Sequence, residues 1–354
     1  MQIVLVTDAW HPQVNGVVHT WTYMVRELSA LGHQVRVIEP SGARTVPAPS
    51  EPGLRLALNA RSVVARALGE TPPDALHIAT EGPLGWAARR HALARGWRFT
   101  TSYHTRFPEY LAERMRIPAA LTYAVLRHFH KPSQRILVPT QAMADELAAA
   151  GFARLQVWAR GVDGERFHPG RRDALHFPRP IWLNVGRVAP EKNLAAFLEL
   201  DLPGTKVVAG DGPALGRLRA RFPDVVWLGG IAHEALAPYY DAADVFVFPS
   251  RTDTFGLVLL EANACGTPVA AFPVTGPVNV VQPGVTGVLS EDLRAACLAA
   301  LQLDRRKVRA AVESHTWRGI AEQLINVLVP AAPDALPAAA QGRAVRGVEG
   351  KPQV

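Results

Sequence analysis

Short apolar runs recur along the first 140 residues and again from residue 181, and most are followed by segments with helical spacing of their apolar positions. QIVLVTD at 2–8 leads through the loop AWHPQVNG into the amphipathic stretch VVHTWTYMVRELSALG, stopped by Gly32, and QVRVIEP follows. This order predicts a βαβ unit. Further strands are expected at 75–79 (ALHIA), 98–104 (RFTTSYH) and 135–140 (RILVPT), with helices between them. After RGVDGERFHPGRRDALHFPRP, rich in Gly, Pro and charge, the pattern restarts with IWLNVG at 181–186, a helix from Lys192, and the strands TKVVAG, VVWLG and DVFVFPS. Two doubly wound α/β halves joined near residue 170 are the natural reading. SHTWRGIAEQLINVLV at 314–329 predicts a closing helix, and the tail beyond Pro330 has too little to bury to be expected to order.

Composition sets the class without changing this picture. At 354 residues, 48% hydrophobic and 19% charged, the chain is of ordinary globular make-up and long enough for two domains. No apolar run reaches the roughly 18 to 20 residues of a spanning helix, and the N-terminus meets Asp8 too soon for a secretory leader. A cytoplasmic location is expected. Cys265 and Cys297 lie in helix-like stretches and read as inert thiols rather than a disulfide or zinc framework. The net charge of +7 is concentrated in residues 84–135, where ten Lys or Arg face two Glu. Aromatic residues and leucines interleave with these cations, as on a surface lying against anionic lipid, although a solvated basic face reads equally well. No helix-turn-helix, zinc-finger or RNA-binding signature supports nucleic acid as the partner.

In open parallel sheets ligands bind beyond the carboxyl ends of the strands, so chemistry belongs in the strand-to-helix loops. HPQVNGVV carries Gly16 ahead of a helix, with no Cβ to keep a phosphate from the N-terminal amides. NVGRVAPEKN offers Gly186 for close backbone approach, and Arg187 and Lys192 as two cations suited to a departing diphosphate. GDGPALG at 210–216 follows a strand as a dinucleotide loop would, but Leu215 stands where that fingerprint needs Gly or Ala, so NAD is set aside. TSYHTRFPEY places His104 at a strand end, able to bond a sugar hydroxyl or to be structural, and VWARGVDGERFHP reads as a turn with Arg160, Gly161 and Asp163. In TDTFGLVLLE, Asp253 falls in a loop and Glu261 about two turns into a helix beginning near Phe255, so two acids are expected to face one crevice. No Asp-x-Asp and no His and carboxylate cluster with ligand spacing occurs, so no metal is expected to hold the diphosphate.

Six segments in order, TDAWHPQVNGVV, SYHTRFPEY, RGVDGERFHP, GRVAPEKN, GDGP and TDTFGLVLLEANACGTPVAA, make the chain resemble the retaining glycosyltransferases of family 4 over about residues 1–330. Bacterial α-mannosyltransferases and glycosyl or sulfoquinovosyl diacylglycerol synthases are the most similar members. The resemblance implies the GT-B fold, with two Rossmann-like domains facing a deep cleft. Residues 1–170 would bind the acceptor, 171–313 the nucleotide sugar, and a helix at 314–330 would pack back on the first domain, with a tail at 331–354. It implies that Glu261 accepts from the ribose hydroxyls and that Asp253 adjoins the sugar hydroxyls, with Asp where Glu is usual. Arg187 and Lys192 would hold the diphosphate, Gly16 and Gly186 would admit it, and His104 would bond the sugar near C6. Backbone amides around Thr254, Phe255 and Gly256 would assist.

The implied reaction is metal-independent, cofactor-free hexosyl transfer with retention, from GDP-mannose or a UDP-hexose or UDP-glucuronate to a lipid at the cytoplasmic membrane face. Competing expectations are a soluble or saccharide acceptor, another enzyme on the same fold such as an epimerase or phosphorylase, and a non-catalytic nucleotide-sugar sensor.

Overall fold

The computed structural model describes residues 1–13, 15–48, 51–104 and 118–332. The first half holds strands β1 (Gln2–Val6), β2 (Gln34–Ile38), β3 (Thr45–Ala48), β4 (Glu51–Ala57), β5 (Ala75–Ile78), β6 (Thr100–Ser102), β7 (Ile136–Val138) and β8 (Leu155–Val157). All but the antiparallel hairpin β3–β4 form one parallel sheet in the order β2-β1-β5-β6-β7-β8. The second half holds β9 (Ile181–Val185), β10 (Thr205–Ala209), β11 (Val226–Gly229), β12 (Val245–Phe248), β13 (Val269–Ala271) and β14 (Gly287–Leu289), parallel in the order β11-β10-β9-β12-β13-β14. Both sheets reverse direction of growth beside their first strand, β1/β5 in one and β9/β12 in the other. Those two reversals are the crevices where a doubly wound sheet takes its ligand.

Burial explains why the apolar runs are strands. Ile181 to Val185 and Val245 to Phe248 are buried throughout, as in sheets covered on both faces. Alternate residues divide between two cores: Leu183, Val185, Phe246 and Phe248 on one face, Trp182, Val245 and Val247 on the other. In the first sheet Val4 and Val6 divide likewise from Ile3 and Leu5.

The helix Trp317–Val327, capped by the Thr316 hydroxyl, buries Trp317, Ile320, Ala321 and Leu324 against Ile3, Leu5, Trp21 and Met24 of the first half. Tyr23 and Trp317 stack with ring centroids 5.0 Å apart, and Trp158 Nε1 donates to the Ile320 carbonyl at 3.1 Å. Gly161 is required there, because a Cβ would lie 2.6 Å from the Trp317 nitrogen. The turn read at 160–163 is thus the point where the last helix crosses back. Ala331 is wholly buried and exchanges backbone bonds with Asp74 and Arg98, so order extends past Pro330. The remaining tail, from 333, lies outside the described residues.

Three boundaries differ from the sequence reading. Pro190–Lys192 forms a single 3₁₀ turn, and Asn193, left-handed at φ 52°, separates it from the helix Leu194–Leu198. The helix after TDTFG begins at Leu257, because Gly256 at φ 84° breaks the chain direction before it; Glu261 therefore stands about one turn in, not two. Asn15, passed over in the sequence, caps the helix Gly16–Ala30 by accepting from the amides of Val17 and Val18.

The basic stretch 84–135 is not one solvated face. Residues 105–117 lie outside the described residues, and most of the remaining cations clamp the chain: Arg89 donates to the Phe129 and His128 carbonyls, Arg98 to Pro330, Arg127 to Ala150, and Arg135 to Asn326 and Val327. Arg95 pairs with Glu70. Helix and chain ends expose carbonyls that arginine satisfies well, and this use is invisible in a count of charges. Among the described residues no helix is long and apolar enough to cross a membrane.

Candidate functional site

The loops after β1, β9 and β12 and the end of β6 bring the expected residues to the two crevices. The loop after β9 is held from behind. Gly186 N donates to Ala209 O, Val188 N to Asp211 O and Ala214 N to Val188 O. A Cβ on Gly210 would sit 1.8 Å from the Gly186 carbonyl, and one on Gly212 2.5 Å from that of Val188. The glycines of GDGP therefore serve backbone packing, which is why the dinucleotide spacing fails there. Gly186 itself, at φ 151°, has nothing within 4 Å of where its Cβ would be, so its open side is the one a ligand backbone or phosphate can approach.

Lys192 and Asp253 join the loops after β9 and β12: Nζ lies 2.6 Å from Oδ1. Asp253 Oδ2 is enclosed and has no hydrogen-bond partner. Burial pushes the Asp253 carboxyl up, but the charge and hydrogen bond of Lys192, with Ser250 and Arg187, together outweigh it and hold the group below the ordinary carboxylate range. Arg187 pairs with Glu191 four residues on. Both cations expected to meet a diphosphate thus already carry an acid partner. Asn193 Nδ2 donates to the Pro249 carbonyl at 3.1 Å and fastens the same two loops a second time.

Glu261 differs most from the sequence expectation. It is 6% exposed, and both oxygens hold protein donors: His233 Nε2 at 2.8 Å and the Tyr240 hydroxyl at 2.8 Å. A diol is left only the remaining lone pairs. Burial lowers the His233 pKa, but the Glu261 carboxylate more than reverses this and leaves it above its ordinary value. Across the cleft the His19 ring, from the helix Gly16–Ala30, lies against His233 with centroids 4.3 Å apart and planes tilted by 35°. Asp253 and Glu261 therefore face different partners, Lys192 and His233, from the two ends of one segment. Nothing in the chain order announced His233 or Tyr240, which lie 28 and 21 residues before Glu261.

His104 closes the first half onto the second. Its carbonyl accepts from the Thr254 hydroxyl at 3.0 Å, while its ring turns inward: Nε2 lies 3.0 Å from Trp21 Nε1 and Nδ1 3.0 Å from Arg160 Nη2. Burial first, and the Arg160 charge second, hold the imidazole well below its usual pKa. A ring expected to offer a nitrogen to sugar thus has both nitrogens against protein donors. Phe255 points away into the second core, and Gly256 sets the start of the helix Leu257–Ala264, whose first amides have no intrahelical partner. Gly16 faces Leu257 of that helix, its missing Cβ 4.0 Å from Leu257 Cδ1, so the two glycine loops meet across the cleft. Asn15 already holds the amides that Gly16 was expected to leave open to phosphate.

Cys265 and Cys297 are buried, and burial pushes the Cys297 thiol up to about 12 and Cys265 higher still, so both stay protonated. Among the described residues no three His, Cys, Asp or Glu side chains are grouped as a metal site requires.

Comparison with known proteins places this arrangement. Residues 14–166 match the domain described as Glycosyltransferase Family 4, and residues 179–303 the one described as Glycosyl transferases group 1. A GDP-mannose-dependent alpha-mannosyltransferase of Mycobacterium tuberculosis is 30% identical over 92% of this chain and 96% of its own length. A sulfoquinovosyl transferase of Arabidopsis thaliana is 28% identical over 88% of this chain and 70% of its own. The fold matches sucrose-phosphate synthase of Thermosynechococcus elongatus with a TM-score of 0.73 at 22% identity, covering 92% of this chain and 97% of that one. Anabaena HepE in complex with UDP-glucose matches at 0.69 and 16%, covering 92% and 98%. Identity along nearly the whole chain, two successive matched domains and a shared two-sheet architecture make this protein a member of the GT-B glycosyltransferases of family 4.

Proposed function

We propose that the protein transfers a hexose from a nucleotide diphosphate sugar, GDP-mannose or a UDP-hexose or UDP-glucuronate, to a lipid acceptor, with retention and without a metal. The observation that carries the donor side is the joining of the β9 and β12 loops by Lys192 and Asp253, beside Arg187 and the open face of Gly186. In this reading the diphosphate displaces or shares the carboxylates now on the two cations, which frees Asp253 Oδ1 to accept from a sugar hydroxyl. The bond from the sugar C1 to the phosphate oxygen breaks, and its electron pair goes to the diphosphate, steadied by Lys192 and Arg187. The acceptor oxygen bonds to C1 on the same face and loses its proton to a leaving-group oxygen. No pair of carboxylates about 5 Å apart is needed, as a double displacement would require. Contact of the two halves through Thr254 and His104 suits a cleft that closes and excludes water.

The experiment supplies purified protein with radiolabelled UDP-glucose, UDP-galactose, UDP-glucuronate and GDP-mannose in turn, with a bacterial lipid extract and no added metal. Label in the organic phase from one donor is expected. Label remaining in water with free nucleotide would move the acceptor to a soluble molecule, and binding without release would make the protein a sensor.

The lipid side rests on a groove of about 1030 Å³ between the helices Ala60–Leu68 and Pro83–Ala94. Arg61 and Arg90 rim it, and Leu58 (69% exposed), Leu93 and Trp86 offer apolar surface beside them. Cations beside exposed apolar side chains suit the cytoplasmic face of an anionic bilayer. Binding to vesicles containing anionic phospholipid is expected and should weaken as salt rises; equal binding to neutral vesicles, or none to either, would remove the membrane from the reading.

A further inference from the structure

Arg160 lies in the turn after β8, 4% exposed, and among the described residues none of its hydrogen bonds reaches a carboxylate. Nη1 donates to the carbonyls of Trp158 and Ala159 at 2.7 and 2.9 Å, and the guanidinium lies 4.5 Å over the Trp158 ring. These contacts fix its plane, and with it the Nη2 hydrogen directed at His104 Nδ1. Trp21 Nε1 donates toward the other ring nitrogen, Nε2, at 3.0 Å. Guanidinium and indole N–H groups can only donate. An imidazolium would set an N–H against a donor at both nitrogens, and a neutral imidazole has a single lone pair for which the two compete. The charged donor makes the stronger bond and a hydrogen on Nδ1 would face a held cation, so the neutral indole bond at Nε2 is the one that gives way.

We infer that Arg160 is a positioning residue that fixes His104 as the neutral tautomer with its hydrogen on Nε2 and excludes the protonated ring. The described elements around the ring agree. Trp21 comes from the helix Gly16–Ala30 and does not ionise; His77 of β5 is held between the Thr100 and Ser102 hydroxyls, both at 2.8 Å; Thr254 donates to the His104 carbonyl. Among the described residues no carboxylate faces the imidazole to support a second proton. The chemical consequence, which rests on the proposed transfer reaction, is that His104 cannot take a proton from the acceptor hydroxyl. It acts by shape and by its carbonyl, and the proton must leave with the diphosphate.

The test uses the full chain labelled with ¹⁵N-histidine, where long-range ¹H–¹⁵N correlations separate the two tautomers, and loss of a peak in His104→Asn assigns the residue. The expected result is a hydrogen on Nε2 and no titration from pH 8 to 5. In Arg160→Leu the ring should lose the fixed tautomer and titrate, and kcat should fall on the order of tenfold or more with KM nearly unchanged. Arg160→Lys, which keeps the charge but not the fixed fork, should lie between. A hydrogen on Nδ1 in the wild type, or a ring that stays fixed and untitrating in Arg160→Leu, would overturn the inference. The wild-type spectrum decides the tautomer even where a variant fails to fold, and it does so whether or not any donor sugar is turned over.

Discussion

Replacing Lys192 with alanine is expected to lower kcat about 10²- to 10³-fold, the range for removing one preorganised donor from a developing negative charge. The same substitution strips Asp253 Oδ1 of the ammonium 2.6 Å away, while Oδ2 already has no partner. With Lys192 gone, burial dominates and the Asp253 carboxyl rises. The single variant should therefore also lose about 1–3 kcal/mol of stability, the cost of an enclosed polar group left unpaired. Lys192→Ala with Asp253→Asn separates the two effects. The neutral amide no longer needs the cation, so the double variant should melt closer to wild type and yet remain as slow as the single one. Thermal melts beside single-turnover rates make the comparison. A double variant that recovers both stability and rate would mean that Lys192 serves only to neutralise Asp253, and a wild-type rate in the single variant would take it out of the site.

The two doubly wound sheets were legible because a strand covered on both faces needs a nearly continuous apolar run, and VFVF, IWLNV and ALHI, the last two broken only by buried Asn184 and His77, are such runs. The loop positions followed from topology, since both sheets change direction beside their first strand. What lay hidden were the partners. Arg160 reads as a turn residue because nothing in RGVD tells that the last helix, more than 150 residues on, will cross Gly161 and seal the arginine from water. His233 and Tyr240 are unremarkable in HEALAPYY until the sheet brings them to Glu261. Arg89, Arg127 and Arg135 looked like surface charge in a linear count, whereas the fold spends them on carbonyls at chain and helix ends. Residue type and spacing identify which groups reach a crevice; which of their hydrogen-bonding positions are already filled is decided by contacts far apart in the chain.

Acid is expected to destabilise this protein well before its carboxylates titrate. His77 is 1% exposed, neutral between two hydroxyls and beside Trp21, and burial lowers its pKa to about 3; His104 is lowered well below 6.5 by burial and by Arg160. A folded-state pKa below the unfolded value of about 6.5 gives stability that is present above pH 6.5 and is lost as pH falls toward the folded value. A ring that stays neutral removes about 1.4 kcal/mol per pH unit below 6.5, so His77 should cost about 2 kcal/mol between pH 7.5 and 5, and His104 adds to it in the same direction. His19 and His91, also lowered, add in the same direction. His233 opposes it: its pKa is raised, so its contribution is present at low pH and fades as pH rises through the folded value. One raised imidazole offsets only part of four lowered ones, and the net slope is downward toward acid. Denaturant unfolding at pH 7.5 and 5 reads the difference directly. His77→Gln keeps a donor and an acceptor for Thr100 and Ser102 and cannot take up a proton in this range, so it should remove about 2 kcal/mol of the loss. An equal loss in that variant would mean that the buried His77 ring is not what couples folding to pH.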